Sequence, residues 1–224
     1  MRILALKTSL LIMGLSGLTA QILLLRELLV SFLGNELTLG IILANWMILE
    51  AVGSFIIGKT VEKTQKKIEA FVFFQLIFSL ALPFAIYLSR IFKNLLPVTP
   101  GEGLGFTPIF YSSFLILLLV SIPHGALFTY GCKIYAQNIR EDASSVGKVY
   151  FLETFGSIMG GLGMTFLLIQ YLNSFEIAFL VSWINTFISI FLLWPRPSHS
   201  FFTLRKGLWA LAIALTVFFA CLLF

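Results

Sequence analysis

Two glutamates and a histidine stand inside runs of apolar residues, and in this 224-residue chain they are where chemistry would have to occur. Glu50 lies in Leu37–Gly58, Glu153 in Val149–Gln170 and His124 in Gly103–Cys132. A charge at the centre of a bilayer costs about 2.5–3.5 kcal/mol on insertion scales, so an acid there needs a proton, a partner or water. Glu50 precedes Lys59 by nine residues, about 13 Å of helix, which makes it the deepest charge. Glu153 follows Lys148 by five residues and sits nearer that face, while Arg26 and Glu27 fall towards the opposite one. Gln21 and Asn45 add neutral polar groups. Together Glu50, Glu153, Asn45, Gln21, His124 and Arg26 outline a polar site between helices, for a cation, a proton or an amine. The structural alternative is a protonated or hydrogen-bonded glutamate that locks packing, with Asn45 as a partner for Glu50. Arg26 reads more readily as a snorkelling interface anchor than as a ligand clamp.

Other chemistries find no support. His124 sits in P-H-G beside an expected proline kink, and His199 lies in a polar break, so paired histidine ligation of a haem is not expected. No metal-ligand set, cofactor motif or nucleophile–base arrangement stands out. Gly160-Gly161-Leu162-Gly163 lacks the preceding strand and following lysine of a phosphate loop. Cys132 and Cys221 lie in apolar runs and read as small hydrophobes.

The elements that must position these residues follow from composition. Hydrophobic residues make up 59% and charged residues 11%, where soluble domains carry about 25% charge. A soluble enzyme, a disordered chain and a disulfide scaffold are excluded. The net charge of +5 sits between apolar runs, so anionic lipid rather than nucleic acid is the expected partner. A membrane helix needs about 20 apolar residues. Runs of that order are Thr8–Leu25, Leu37–Gly58, Ala70–Ser89, Gly103–Cys132, Val149–Gln170, Ile177–Pro195 and Gly207–Phe224. The reading is an all-α integral membrane protein with about seven transmembrane helices. The first run is too long for a signal peptide and lacks a cleavage site. Lys59, Lys63, Lys66 and Lys67 crowd one loop, and placing it inside puts twelve Lys and Arg inside against Arg26, Arg90 and Lys93 outside. That bias predicts a cytoplasmic N-terminus in a bacterial-type inner membrane. Ile91–Pro108 reads as an outer loop opened by a short interfacial helix, and P-R-P-S-H-S (Pro195–Ser200) as an inner break.

An internal repeat organises the spans. L-E-A-V-G-S-F-I-I-G (Leu49–Gly58) and L-E-T-F-G-S-I-M-G-G (Leu152–Gly161) share L-E-x-x-G-S-x-x-x-G at an offset of 103 residues. The copies lie in spans two and five, which run oppositely. Spans one to three (about 8–90) and four to six (about 107–194) therefore read as a 3+3 inverted repeat resembling half of a major facilitator fold. Residues 1–194 then form a six-helix module, 195–206 an inner linker and 207–224 a seventh helix. Gly53, Ser54, Gly58, Gly156, Ser157, Gly160 and Gly161 are expected at helix-packing positions, because small residues let backbones approach.

Four stretches resemble the membrane part of spermidine-synthase-like proteins, the fused major-facilitator/spermidine synthase type. They are G-L-S-G-L-T-A-Q-I-L-L-L-R-E-L-L-V-S-F-L-G-N-E-L (Gly14–Leu37), A-V-G-S-F-I-I-G-K (Ala51–Lys59), S-I-P-H-G-A-L-F-T-Y-G (Ser121–Gly131) and V-G-K-V-Y-F-L-E-T-F-G-S-I-M-G-G (Val146–Gly161). The resemblance covers about residues 10–175. It implies a membrane module whose family carries a soluble aminopropyltransferase domain. That domain's glycine-rich loop and catalytic aspartate have no match here, so no catalytic residue is assigned to this chain. The implied activity is binding or passage of a small cation or polyamine, with a soluble synthase domain or other membrane subunits as partners. An anchoring subunit of a larger, redox complex is the second reading, and a quinone or lipid site between helices the third.

Overall fold

The structure, a computed structural model, describes residues 2–95, 104–139, 143–193 and 202–223. Among the described residues all regular structure is helical: α1 (Arg2–Phe32), α2 (Glu36–Val61), α3 (Lys67–Leu95), α4 (Phe106–Ile139), α5 (Ala143–Gly163), a π-helical turn (Met164–Leu168), α6 (Ile169–Tyr171), α7 (Ser174–Leu192) and α8 (Phe202–Leu223). Seven helical stretches are long and apolar enough to cross a membrane, with the fifth running continuously through α5, the π turn and α6. This is an integral membrane architecture, because apolar helices of that length need lipid on their outer faces.

Local chemistry sets the turns. Asn35 caps α2 by accepting from the Thr38 amide at 3.2 Å, while Thr38 Oγ1 accepts from the Asn35 amide. Asn173 and Glu176 form the same reciprocal box at the start of α7. The glycine-rich stretch Gly160–Gly163 runs directly into the π turn, a departure from the continuous α-helix the apolar run suggests.

The helices pack in layers. Helix α2 lies on α4 and α5 on α1, and these two supports touch one another. Helices α3 and α7 close the other side, α3 against α4 and α7 against α1, and α8 rests on α7 and α3 at the back. The strip between α2 and α5 is left at the front. Two cores fill the bundle. One holds Leu23, Leu28, Leu49, Leu82, Leu117 and Ile177; the other holds Leu6, Met13, Phe71, Val72, Leu127 and Val149. The boundary between them falls after Leu49 in α2 and between Val120 and Leu127 in α4. Glu50 and His124 stand at that boundary.

Two expectations change here. Ile91–Leu95 continues α3 instead of forming a separate interfacial helix; Pro83 already sits within α3 and does not end it. Helix α8 begins at Phe202, inside the segment read as a linker. Arg205 fixes that start by donating to the Leu193 carbonyl at 3.2 Å and to Glu69 at 3.3 Å. Residues 96–103 of the expected outer loop, and the expected inner break at Pro195–Ser200 with His199, lie outside the described residues.

Candidate functional site

The site is built where α2, α4 and α1 meet. Helix α4 carries Pro123 and, beside it, His124, whose side chain is only 5% exposed. Its Nδ1 lies 2.5 Å from Glu50 Oε1 on α2, and its Nε2 lies 3.3 Å from the Met13 carbonyl on α1. The Met13 carbonyl accepts, and the Glu50 carboxyl accepts or, when protonated, donates, so one proton on the Oε1–Nδ1 line and one on Nε2 satisfy the ring and both neighbours. Trp46, one turn before Glu50, donates its indole N–H to Oε2 at 3.1 Å. Each carboxyl oxygen of Glu50 thus has a hydrogen-bond partner. Phe78 and Trp46 flank the imidazole at centroid distances of 5.7 and 6.3 Å. The ring fits because Gly17 has no side chain: a Cβ there would collide with the imidazole.

Glu153 on α5 belongs to the same electrostatic neighbourhood, within charge reach of both His124 and Glu50. Among the described residues it has no hydrogen-bonding or ion-pair partner, and it is half-buried. With one proton between them Glu50 and His124 are neutral as a pair, which leaves the Glu153 carboxyl without a cationic partner of its own among the described residues. Among the described residues no three His, Cys, Asp or Glu come close enough to hold a metal ion.

The two acids sit on similar helix crossings. A Cβ on Gly53 of α2 would strike the Ile122 carbonyl of α4, and one on Gly125 of α4 would strike the Glu50 carbonyl. On the other pair, Gly156 of α5 meets the Leu11 carbonyl of α1, and Gly14 meets the Glu153 carbonyl. Ser54 donates to the Gly125 carbonyl at 3.0 Å, and Ser157 to the Gly14 carbonyl at 3.2 Å. Gly160 makes a third close approach, against Leu15. Gly58 and Gly161 face only side chains, Thr129 and Leu18, and are looser contacts than expected.

The remaining expected residues lie elsewhere. Asn45 is fully buried but turns to α4, donating to the Phe110 carbonyl at 3.0 Å and to Ser113 Oγ at 2.8 Å; it does not partner Glu50. The five-residue spacing from Glu50 puts it on another side of α2. Gln21 is half-buried without a contact to the pair, and Arg26 is exposed, as an interface anchor would be. Its neighbour Glu27 does the linking: it accepts from Arg90 Nε at 2.8 Å and Nη2 at 3.2 Å, and from Ser174. This joins α1, α3 and α7 at the end away from the lysine-rich loop, and the Phe175 ring lies 4.7 Å from the Arg90 guanidinium.

Sequence reasoning missed Trp46, which its i, i+4 spacing to Glu50 could have revealed. It also missed a buried network behind the site. Asn185 Oδ1 accepts from Gln75 at 3.1 Å and from Ser16 at 3.4 Å, and Ser189 donates to Gln75 Oε1 at 3.2 Å. No charge or motif marks these residues.

No family model, curated protein or solved structure matches the chain.

Proposed function

We propose that this chain is a membrane module that binds a small cation or amine, polyamines included, between two inverted three-span halves. The observation that carries the reading is the His124 ring held between Glu50 and the Met13 carbonyl, with Glu153 nearby and unpaired. Charge at this depth is retained at a cost. A bound cation beside Glu153 offsets that cost in a way that packing alone does not.

The inverted repeat is supported by contacts that pair under its two offsets. Gly53 and Gly156, and Ser54 and Ser157, correspond at 103 residues; Leu11 and Ile122, and Gly14 and Gly125, at 111. The Gly53–Ile122, Gly125–Glu50 and Ser54–Gly125 contacts each have a counterpart in the other crossing; that of Gly160 with Leu15 does not. Residues related to each other also meet directly, as at a two-fold axis: Ser182 donates to the Ser79 carbonyl across 103 positions, and His124 reaches the Met13 carbonyl across 111. The kinship with spermidine-synthase-like membrane parts, and with it a soluble synthase partner, rests on the order of the motifs in residues 10–175. The charge bias supports a cytoplasmic N-terminus.

Thermal stabilisation of the purified chain by spermidine or by sodium tests the binding reading, because a ligand that binds only the folded form raises its stability. Stabilisation that disappears in Glu50→Gln and Glu153→Gln supports it. No stabilisation of the wild type by any amine or monovalent cation sinks it. A second reading, an assembly subunit, is favoured by the exposed aromatic residues Tyr150, Phe151, Phe155 and Phe166 around the fifth span. Co-purification of another membrane subunit together with an absence of cation binding would place it first.

A further inference from the structure

We infer that the strip between α2 and α5 admits an amphipathic amine from the bilayer: its ammonium group pairs with Glu153 beside the His124–Glu50 pair, and its alkyl chain lies along the apolar lips. This rests on the proposed cation site and adds the class of ligand and its route. The layering supplies the route. Helix α8 covers α3 and α7 at the back, and among the described elements nothing packs over the front between α2 and α5. The floor there is polar, with the Glu50 side chain 32% exposed beside His124, and Ser54, Glu153 and Ser157 all half-buried.

The lips are apolar or uncharged. One turn before Glu50 stands Met47 at 67% exposure, and one turn before Glu153 stands Tyr150 at 61%; Phe55 and Ile158 continue the exposed sides of the two helices. Residues three or four apart share a helix face, so each acid is bordered by lipid-facing surface. A hydrated, fully polar amine reaching Glu153 from this side would have to shed its water in hydrocarbon. An amine with an alkyl chain keeps that chain in lipid and presents only its head to the acid. Charge complementarity selects the head, because the Glu153 carboxyl has no cationic partner of its own among the described residues.

The test uses the full chain in phosphatidylcholine nanodiscs with octylamine, octanol and ethylamine as probes, read by thermal stabilisation and by direct binding of the radiolabelled amine. Octylamine is expected to bind saturably and at least tenfold more tightly than ethylamine, with octanol giving no saturable effect. Glu153→Gln should weaken octylamine at least tenfold, and Glu153→Asp, which keeps the charge, should retain most of the binding if the Gln variant proves unstable. Equal effects of octanol and octylamine would overturn the inference, since the chain alone would then suffice. Ethylamine binding as tightly as octylamine, and still lost in Glu153→Gln, would overturn the lipid route while leaving the cation site standing. No binding of any amine would remove both.

Discussion

The α2·α4 and α1·α5 crossings have the same backbone contacts and opposite electrostatics. In each, two matched glycines admit the other helix's carbonyls and one serine donates across the gap, with Gly160 adding a third close approach to the α1·α5 crossing. Yet Glu50 is held by His124 and Trp46, whereas Glu153 is held by nothing among the described residues. The residues corresponding to His124 and Trp46 on the other crossing are Met13 and Val149, both buried and apolar. Small residues therefore build the crossing, and a few side chains at its edge decide whether it carries a satisfied ion pair or a vacant acid. The difference is what turns a packing motif into a site with a direction.

The largest effect should come from filling the shared contacts. Gly14→Val and Gly125→Val place side-chain carbon against a backbone carbonyl that cannot rotate away. Overpacking a tight contact costs about 1–3 kcal/mol, and a backbone collision lies at the top of that range or above it. Both variants should lose most of their thermal stability in lipid, to a similar degree. Gly58→Ala, facing only Thr129 Cγ2 at 3.3 Å, should lose little. If one of the two valine variants were tolerated, the crossings would not be alike.

Converting the polar crossing to its apolar counterpart ranks next. His124→Met leaves Glu50 with the Trp46 donor alone. Removing one partner of a buried ion pair costs about 3–5 kcal/mol, and the partial exposure of Glu50 brings the expected loss nearer to 2. Adding Glu50→Met should restore most of it, since an apolar pair of similar volume often matches a buried ion pair. A double-mutant cycle measured by thermal unfolding separates these terms. A double variant no more stable than His124→Met would mean that the imidazole matters for its shape against Gly17 and Phe78, not for its charge.

The two acids differ in how much of their role was legible. Glu50 and Glu153 stand out in sequence because a repeated L-E-x-x-G-S pattern carries both, and the repeat also names Gly53 and Gly156 as the contact glycines. Seven spans follow from hydropathy because helical length and apolar composition are local properties. The partners were less legible. Trp46 has a local signal in its i, i+4 spacing to Glu50, but that Asn45 turns instead to Phe110 and Ser113 has none, because a helix apolar all round does not tell which side chains meet which neighbour. Gly14 and Gly17 look like ordinary small residues until α5 and His124 are set against them. The Gln75–Asn185 network joins α3 to α7 across more than a hundred residues of sequence, and nothing local encodes such a pairing.

Glu153→Gln should behave opposite to Glu50→Gln. Glutamine at 153 removes an unpaired charge and loses no hydrogen bond among the described residues, so stability should hold or rise by about 1 kcal/mol, less than the full cost of a charge at the bilayer centre because Glu153 lies nearer one face. Glutamine at 50 weakens a charge-assisted bond to His124 and should lower stability. Equal shifts in thermal unfolding of the two variants would erase the electrostatic half of the comparison.

The smallest effects concern the serines. Hydrogen bonds between helices in lipid average about 0.6 kcal/mol in double-mutant cycles, because the separated helices also find partners. Among the described residues Ser157 donates only to the Gly14 carbonyl, so Ser157→Ala should cost about that much. Ser54 bonds the Gly125 carbonyl and also shares a 2.8 Å contact with Thr129 Oγ1, so its loss strands a second hydroxyl. Thr129 keeps weaker acceptors in the Ser54 and Gly125 carbonyls, at 3.3 and 3.4 Å, which limits the added penalty. Ser54→Ala should therefore cost more than Ser157→Ala, but by less than a second full bond. Thr129→Val would then lower the cost of Ser54→Ala towards that of Ser157→Ala, because the two crossings would hold the same single serine bond. If Ser157→Ala proved the costlier change, the α1·α5 crossing would depend on its serine more than its unpaired surroundings suggest, and the polar side of the molecule would lie where the acid is vacant.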